Sequence, residues 1–284
     1  MLKVSIFNDE VSKDLDEALA LLDSWGRPVF DLRESIFGDT VIDDISDEQR
    51  DILKEKLSHY NFEIGCIGTR KLIIDPSVDT SVNEALIARL IKTAKTFSVP
   101  FIRICNVAPR PDSEAERHDL MLRSVDEMRN LAELAYAEGI TLLLENKPTS
   151  ITNKGTELVE FLDLVGSKGL KIVWDAANSW IGGFYGPLID YEICKKYIGI
   201  VHLKGAVGAA EDKTIYDHSE VMGDDEFPHQ EIIDRLIADG YSGPITLDLA
   251  TDSIDRPDMT KAKISKISLD LTEKMILAAE EKIK

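Results

Sequence analysis

The chain alternates short apolar runs with longer stretches in which apolar residues recur every three to four positions. Eight runs read as strands: residues 2–7, 29–32, 62–67, 101–105, 140–144, 171–174, 199–203 and 244–249. Most are nearly continuous, as in Thr141-Leu142-Leu143-Leu144, rather than alternating. Continuous apolar strands are covered on both faces, which is the habit of parallel sheets. Amphipathic helices lie between them. Residues 14–25 place Leu15, Ala18, Leu19 and Leu22 on one face, and the pattern returns over 83–97, 113–138, 157–165, 187–197, 229–240 and 260–284. Ser113 and Glu116 have the spacing of a capping box. Gly26, Gly139 and Gly240 stand where helix-ending glycines belong. The polar segment 109–116, after the fourth strand, reads as a mobile loop over the mouth of the fold.

Eight strand–helix repeats give either a closed barrel or a doubly wound open sheet. An open sheet with a dinucleotide site would show a glycine-rich turn after its first strand. Here that strand runs into Asn8-Asp9-Glu10, with no glycine. The strand count and this absence favour an α/β fold of one kind, a single (β/α)8 TIM barrel. A length of 284 residues suits one such domain spanning 1–284.

Composition narrows the function classes. There are 33 basic and 52 acidic residues, a formal net charge of -19. A surface so negative repels phosphate backbones, so no nucleic-acid partner is expected. The three cysteines, Cys66, Cys105 and Cys194, are widely spaced and form no CxxC pair. That argues against a disulfide framework and for a reducing compartment. The start has neither a basic leader region nor a long apolar one, and no window of 18 apolar residues occurs. A cytoplasmic protein without a membrane partner is the expectation.

In a barrel, chemistry sits at the C-terminal ends of the strands. The last four runs each carry an ionisable group there: Glu145 after three leucines, Asp175 after Ile-Val-Trp, His202 after Ile-Val and Asp248 after Ile-Thr-Leu. Any one of these alone reads as a loop cap or a satisfied core residue. Four on consecutive strands, spaced about 4.8 Å apart, converge on one point. Three carboxylates brought together would repel one another, and a cation removes that cost. Three oxygen donors and an imidazole suit one divalent ion: Mn, Mg, Co or Zn.

Leu144-Glu145-Asn146, Asp175-Ala-Ala-Asn178, Val201-His202-Leu203-Lys204, Gly223-Asp224-Asp225 and Gly240-Tyr241-Ser-Gly243, in this order and spacing, resemble the xylose isomerase-like barrels. That family includes sugar epimerases, inosose dehydratases and isomerases, and an endonuclease branch. Asn8-Asp9-Glu10-Val11-Ser12 and Phe30-Asp31-Leu32-Arg33 are similar to its sugar isomerase branch. The resemblance covers nearly the whole chain. It implies metal ligands at Glu145, Asp175, His202 and Asp248, with Glu145 and Asp248 also moving the substrate proton. Two positions depart from the family pattern: Asp248 stands where a glutamate is usual, and Asn178 where a histidine is frequent. The endonuclease branch takes further histidines from the third and fourth strands, which here offer none.

The function so implied is a metal-dependent isomerase or epimerase of a sugar, sugar phosphate or inosose, moving a proton α to a carbonyl through a metal-stabilised enediolate. The alternatives are a dehydratase of an inosose-like polyol and a non-catalytic sugar-binding barrel. Arg33, Arg70, Arg103, Lys147, Asn178, Lys204 and His218 are candidate substrate-binding residues. The arginines suit a carboxylate or phosphate, but pairing with Asp31, Glu34 or other acids is the commoner role. Trp174, Trp180, Phe184 and Tyr185 read as packing residues or as a ring platform. The expected partner is a small sugar-like substrate, and a homo-oligomer is left open.

Overall fold

Eight parallel strands carry the chain around a barrel: β1 (Val4–Ile6), β2 (Val29–Leu32), β3 (Glu63–Gly68), β4 (Phe101–Ile104), β5 (Thr141–Glu145), β6 (Leu170–Asp175), β7 (Ile198–Leu203) and β8 (Ile245–Leu247). Each feeds a helix on the outside: α1 (Leu15–Ser24), α2 (Asp47–Ser58), α3 (Thr80–Thr96), α4 (Glu114–Ala137), α5 (Gly155–Val165), α6 (Pro187–Cys194), α7 (His229–Ala238) and α8 (Lys261–Lys282). This computed structural model describes residues 2–104, 106–182, 186–208 and 219–283. The strands neighbour one another in chain order, and β8 returns to β1 with Val4 opposite Ile245. The seam between β1 and β2 is narrow, an isolated parallel bridge between Phe7 and Asp31.

Strand side chains alternate between faces, and a barrel turns that alternation into layers. Cys66, Leu143, Val173 and Ile200, with Phe101 packed on them, form a small apolar cluster apart from the main core. These residues fill the barrel. Their outward neighbours Leu142, Leu144, Trp174 and Val201 belong to the large core under the helices. Two residues beyond each filler the inward position recurs, giving Gly68 after Cys66 and then Arg103, Glu145, Asp175 and His202. The apolar layer is thus the floor on which the polar layer stands.

The sequence pattern shows seven of the eight helices. The missing one, α2, buries only Arg50 and Leu53, so no apolar stripe announces it. It is instead capped reciprocally by Ser46 and Gln49. Short helices also occur at Asn8–Val11 and Ala176–Ile181, and the helix expected over 187–197 ends at Cys194 before a 3-10 turn. Segment 109–116 is not the free loop expected. Arg110 N–H donates to Thr149 O at 2.9 Å, Pro109 bridges Ser150, the Arg110 guanidinium grips Glu157, and Glu114 already opens α4. Gly26, Gly139 and Gly240 take positive φ of 68°, 77° and 72° after their helices, as expected. Cys66 and Cys194 are buried and free; Cys105 lies outside the described residues. Among the described residues no helix is long and apolar enough to cross a membrane.

Candidate metal centre

Glu145, Asp175 and His202 occupy the inward layer of β5, β6 and β7, and Asp248 follows β8 directly. Asp175 is in register with His202, and His202 with Thr246. All four side chains are buried, and one ligand atom from each lies within 4.8 Å of the others. His202 Nδ1 is 3.6 Å from Asp248 Oδ2 and 3.9 Å from Glu145 Oε2. Those distances exceed a hydrogen bond. Both ring nitrogens are buried without a hydrogen-bond partner. An unsatisfied buried polar group costs roughly 1–3 kcal/mol. A buried imidazole with both nitrogens unpartnered, close to two carboxylates, therefore fits a cation-binding role, and the donor set suits a divalent ion.

The surrounding side chains hold these donors in place. Asn146 Nδ2 donates to Asp175 O at 2.9 Å, and its Oδ1 accepts from Asp175 N at 2.8 Å, which locks the ends of β5 and β6 together. Asn178 Nδ2 donates to Glu145 Oε1 at 3.0 Å, and Asn178 N to Asp175 Oδ1 at 2.8 Å. Lys204 Nζ donates to Asp175 Oδ2 at 2.8 Å and to Asn178 Oδ1 at 2.6 Å. Asn178 thus links Glu145, Asp175 and Lys204 through hydrogen bonds. Lys147 Nζ lies 3.7 Å from Glu145 Oε1.

The arginines are engaged with acids. Arg33 donates to Asp9, to Glu10 Oε1 at 2.7 Å and to Asp248 Oδ1 at 2.6 Å. Arg103 donates to Glu145 and, at 2.9 Å, to Asp248 Oδ2. Arg70 pairs with Glu34. Phe7 ties the group together: its ring meets His202 edge-on at 5.7 Å and lies 4.3 Å beneath the Arg33 guanidinium. Burial alone would push the Glu145 carboxyl up, but Arg103, Lys147 and His202 outweigh it and hold it down at about 2. Asp248 is likewise held well below the usual range, with Arg33, His202 and Arg103 overcoming its burial. Asp175 goes the other way: burial raises it more than Lys204 lowers it.

A cavity opens above this layer, lined by Asp9, Glu10, Arg33, Arg70, Lys147, Lys204 and Asp248. Of the seven candidate substrate-binding residues, Arg33, Arg70, Lys147 and Lys204 line it, while Arg103 and Asn178 lie in the layer below. His218 lies outside the described residues, as do Phe184 and Tyr185. Trp174 packs outward against Tyr191 and donates to Asp190 Oδ2 at 3.2 Å, and Trp180 packs edge-on against Phe227. Neither lines that cavity.

The family model for xylose isomerase-like TIM barrels matches residues 19–271. The chain belongs to that family. A search among curated proteins finds no match. Among solved structures, a D-tagatose 3-epimerase-like protein is similar with a TM-score of 0.77 and 17% identity, covering 100% of both chains. The D-psicose 3-epimerase of Clostridium cellulolyticum H10, solved with D-tagatose, reaches 0.76 at 17% identity, over 97% of this chain and 99% of that one. The IolI protein with a bound zinc atom reaches 0.73 at 16% identity, over 97% and 98%. At such identities the likeness speaks for the fold.

Two features of this xylose isomerase-like barrel escape a reading of strand ends. Asp9 and Glu10 enter the site from the short helix Asn8–Val11 after β1, a segment whose resemblance to the sugar isomerase branch gave it no site role. Asp31 lies under the polar layer, accepting from Ser5 Oγ and Thr246 Oγ1 at 2.8 Å each. Burial pushes its carboxyl up to about 6 against those hydrogen bonds. A raised acid favours the folded state while protonated. Its contribution is therefore present below about pH 4 and lost as pH rises through 6. Asp31→Asn is expected to raise the melting temperature at pH 8 relative to the parent and to lose that advantage at pH 4. Melting curves at both pH values check it; an advantage that is larger at pH 4 contradicts it.

Proposed function

We propose that this barrel is a metal-dependent isomerase or epimerase of a small sugar or related hydroxy-carbonyl compound. One observation carries the reading: a buried imidazole with no hydrogen-bond partner faces three convergent carboxylates at the mouth of a barrel of this family. Glu145, Asp175, His202 and Asp248 would hold the ion. When bound it would polarise the substrate carbonyl and adjacent hydroxyl, acidifying the α-proton. That help matters here, because a carboxylate held at about 2 is a weak base on its own. Glu145 is the proposed proton-transfer group. Asp248, with an arginine on each oxygen, is the weaker candidate and serves first as a donor to the ion. Lys147 and Lys204 at the cavity would orient the substrate's oxygens, and Asn178 would fix Glu145. Similar solved structures include epimerases and a protein with a bound zinc, which agrees with this reading.

Two measurements test it. Elemental analysis of purified protein is expected to find close to one divalent ion per chain, lost in His202→Ala. Ketoses, inososes and sugar phosphates screened by thermal stabilisation should include a ligand, and that ligand should take up solvent deuterium at the carbon α to its carbonyl. Stabilisation by a sugar without exchange, in a chain that keeps no metal, would instead identify a non-catalytic binding barrel.

A further inference from the structure

The inward layer at the ligand level contains one residue that a four-donor metal site does not need. On β4 that position is Arg103, fully buried, its guanidinium inside the ring of donors. Its Nη2 bonds both Glu145 Oε2 and Asp248 Oδ2, and its Nε bonds the same oxygen of Glu145. These are the two oxygens that face His202 Nδ1. The second oxygen of Asp248 is taken by Arg33. An ion held jointly by Glu145, Asp248 and His202 would occupy the space toward which Nη2 now points, against a fixed positive charge.

We infer that Arg103 and a divalent ion are alternative occupants of the Glu145–Asp248 pair, so that Arg103 sets how tightly this barrel takes metal. The inference rests on the metal reading above and adds an exchange to it. In one state the guanidinium is the counter-charge and the layer is balanced without an ion. In the other the ion takes its place, and Arg103 gives up at least one carboxylate. A barrel built in this way would bind metal more weakly than its donor set alone allows, and would stay folded without it.

The opposite role is also physically definite. A residue that merely orients ligands from outside supports the ion, and removing such a partner usually weakens binding about 10–100-fold. The two roles predict opposite signs. Manganese titrated calorimetrically into the wild type and into Arg103→Met is expected to bind the variant at least about tenfold more tightly, and the variant's melting temperature should rise more on adding manganese. Equal or weaker binding by the variant overturns the inference and leaves the metal site standing. Binding by neither protein at millimolar manganese overturns the metal reading and the inference with it.

Arg103→Met leaves two buried carboxylates without their cation, so it is also refolded with and without manganese. A fold recovered only with the ion supports the exchange. If it folds under neither condition, the wild type decides. A crystal structure with manganese on the four donors should show the guanidinium detached from Glu145 or Asp248, and retention of both bonds overturns the inference.

Discussion

Glu145→Gln is expected to lower turnover of a true substrate by about 10²–10⁴-fold, the usual worth of a positioned general base. The substitution keeps the shape of the side chain and one oxygen. It removes the negative charge and the site that would accept the proton. Glu145 is held in place: Asn178 Nδ2 donates to one oxygen, and the residue is fully buried at the end of β5. A misplaced side chain is therefore a poor explanation for a large loss. The glutamine would also turn an amide N–H toward a neighbouring donor, so rates are to be taken per folded molecule, with melting curves as the control. Solvent deuterium exchange at the α-carbon gives the sharper readout. Exchange that survives undiminished would leave Glu145 as a metal donor only.

The second large effect is expected at Asp248. Asp248→Asn, in the presence of a chelator, should destabilise the fold by roughly 3 kcal/mol, the low end for breaking a buried ion pair. The low end applies because Arg33 keeps Asp9 and Glu10, and Arg103 keeps Glu145. An amide can accept from one arginine but must present its N–H groups to the other. The pH dependence has a definite sign. The folded carboxyl sits well below its ordinary value, so its stabilisation is present above about pH 4 and is lost as pH falls toward the folded value. The gap between parent and variant should thus be full at pH 7 and narrow below 4. Asp31→Asn shows the reverse trend, and the contrast separates the two carboxyls. Denaturation midpoints at pH 7 and pH 3.5 check it, and an unchanged gap would mean that the arginines do not stabilise the Asp248 charge.

What could be read from the residues alone was periodic. Apolar runs such as Thr141-Leu142-Leu143-Leu144 are continuous because both faces of a barrel strand are covered, by the filler inside and the helices outside. Eight of them with helices between, and no glycine-rich turn after the first, favour a barrel, and the ionisable residue ending four successive runs marks the mouth. The convergence of Glu145, Asp175, His202 and Asp248 follows from neighbouring strands and needs no knowledge of side-chain contacts. Helix α2 was illegible because it buries one arginine and one leucine, too little for a stripe.

Only the tertiary structure decided what the arginines do. Arg33 lies 215 positions from Asp248, and Arg103 145 positions from it. An ion pair across that separation leaves no local pattern, because it is set by barrel closure rather than by spacing. A lone arginine at a strand end reads as an anion-binding fork or, more commonly, as a partner for an acid. Two residues along β4 from the filler Phe101, alternation turns Arg103 inward, and the curvature of the sheet brings it onto Glu145 and Asp248. The ring of donors was therefore written in the chain, while the cation already standing in it was a property of the closed barrel.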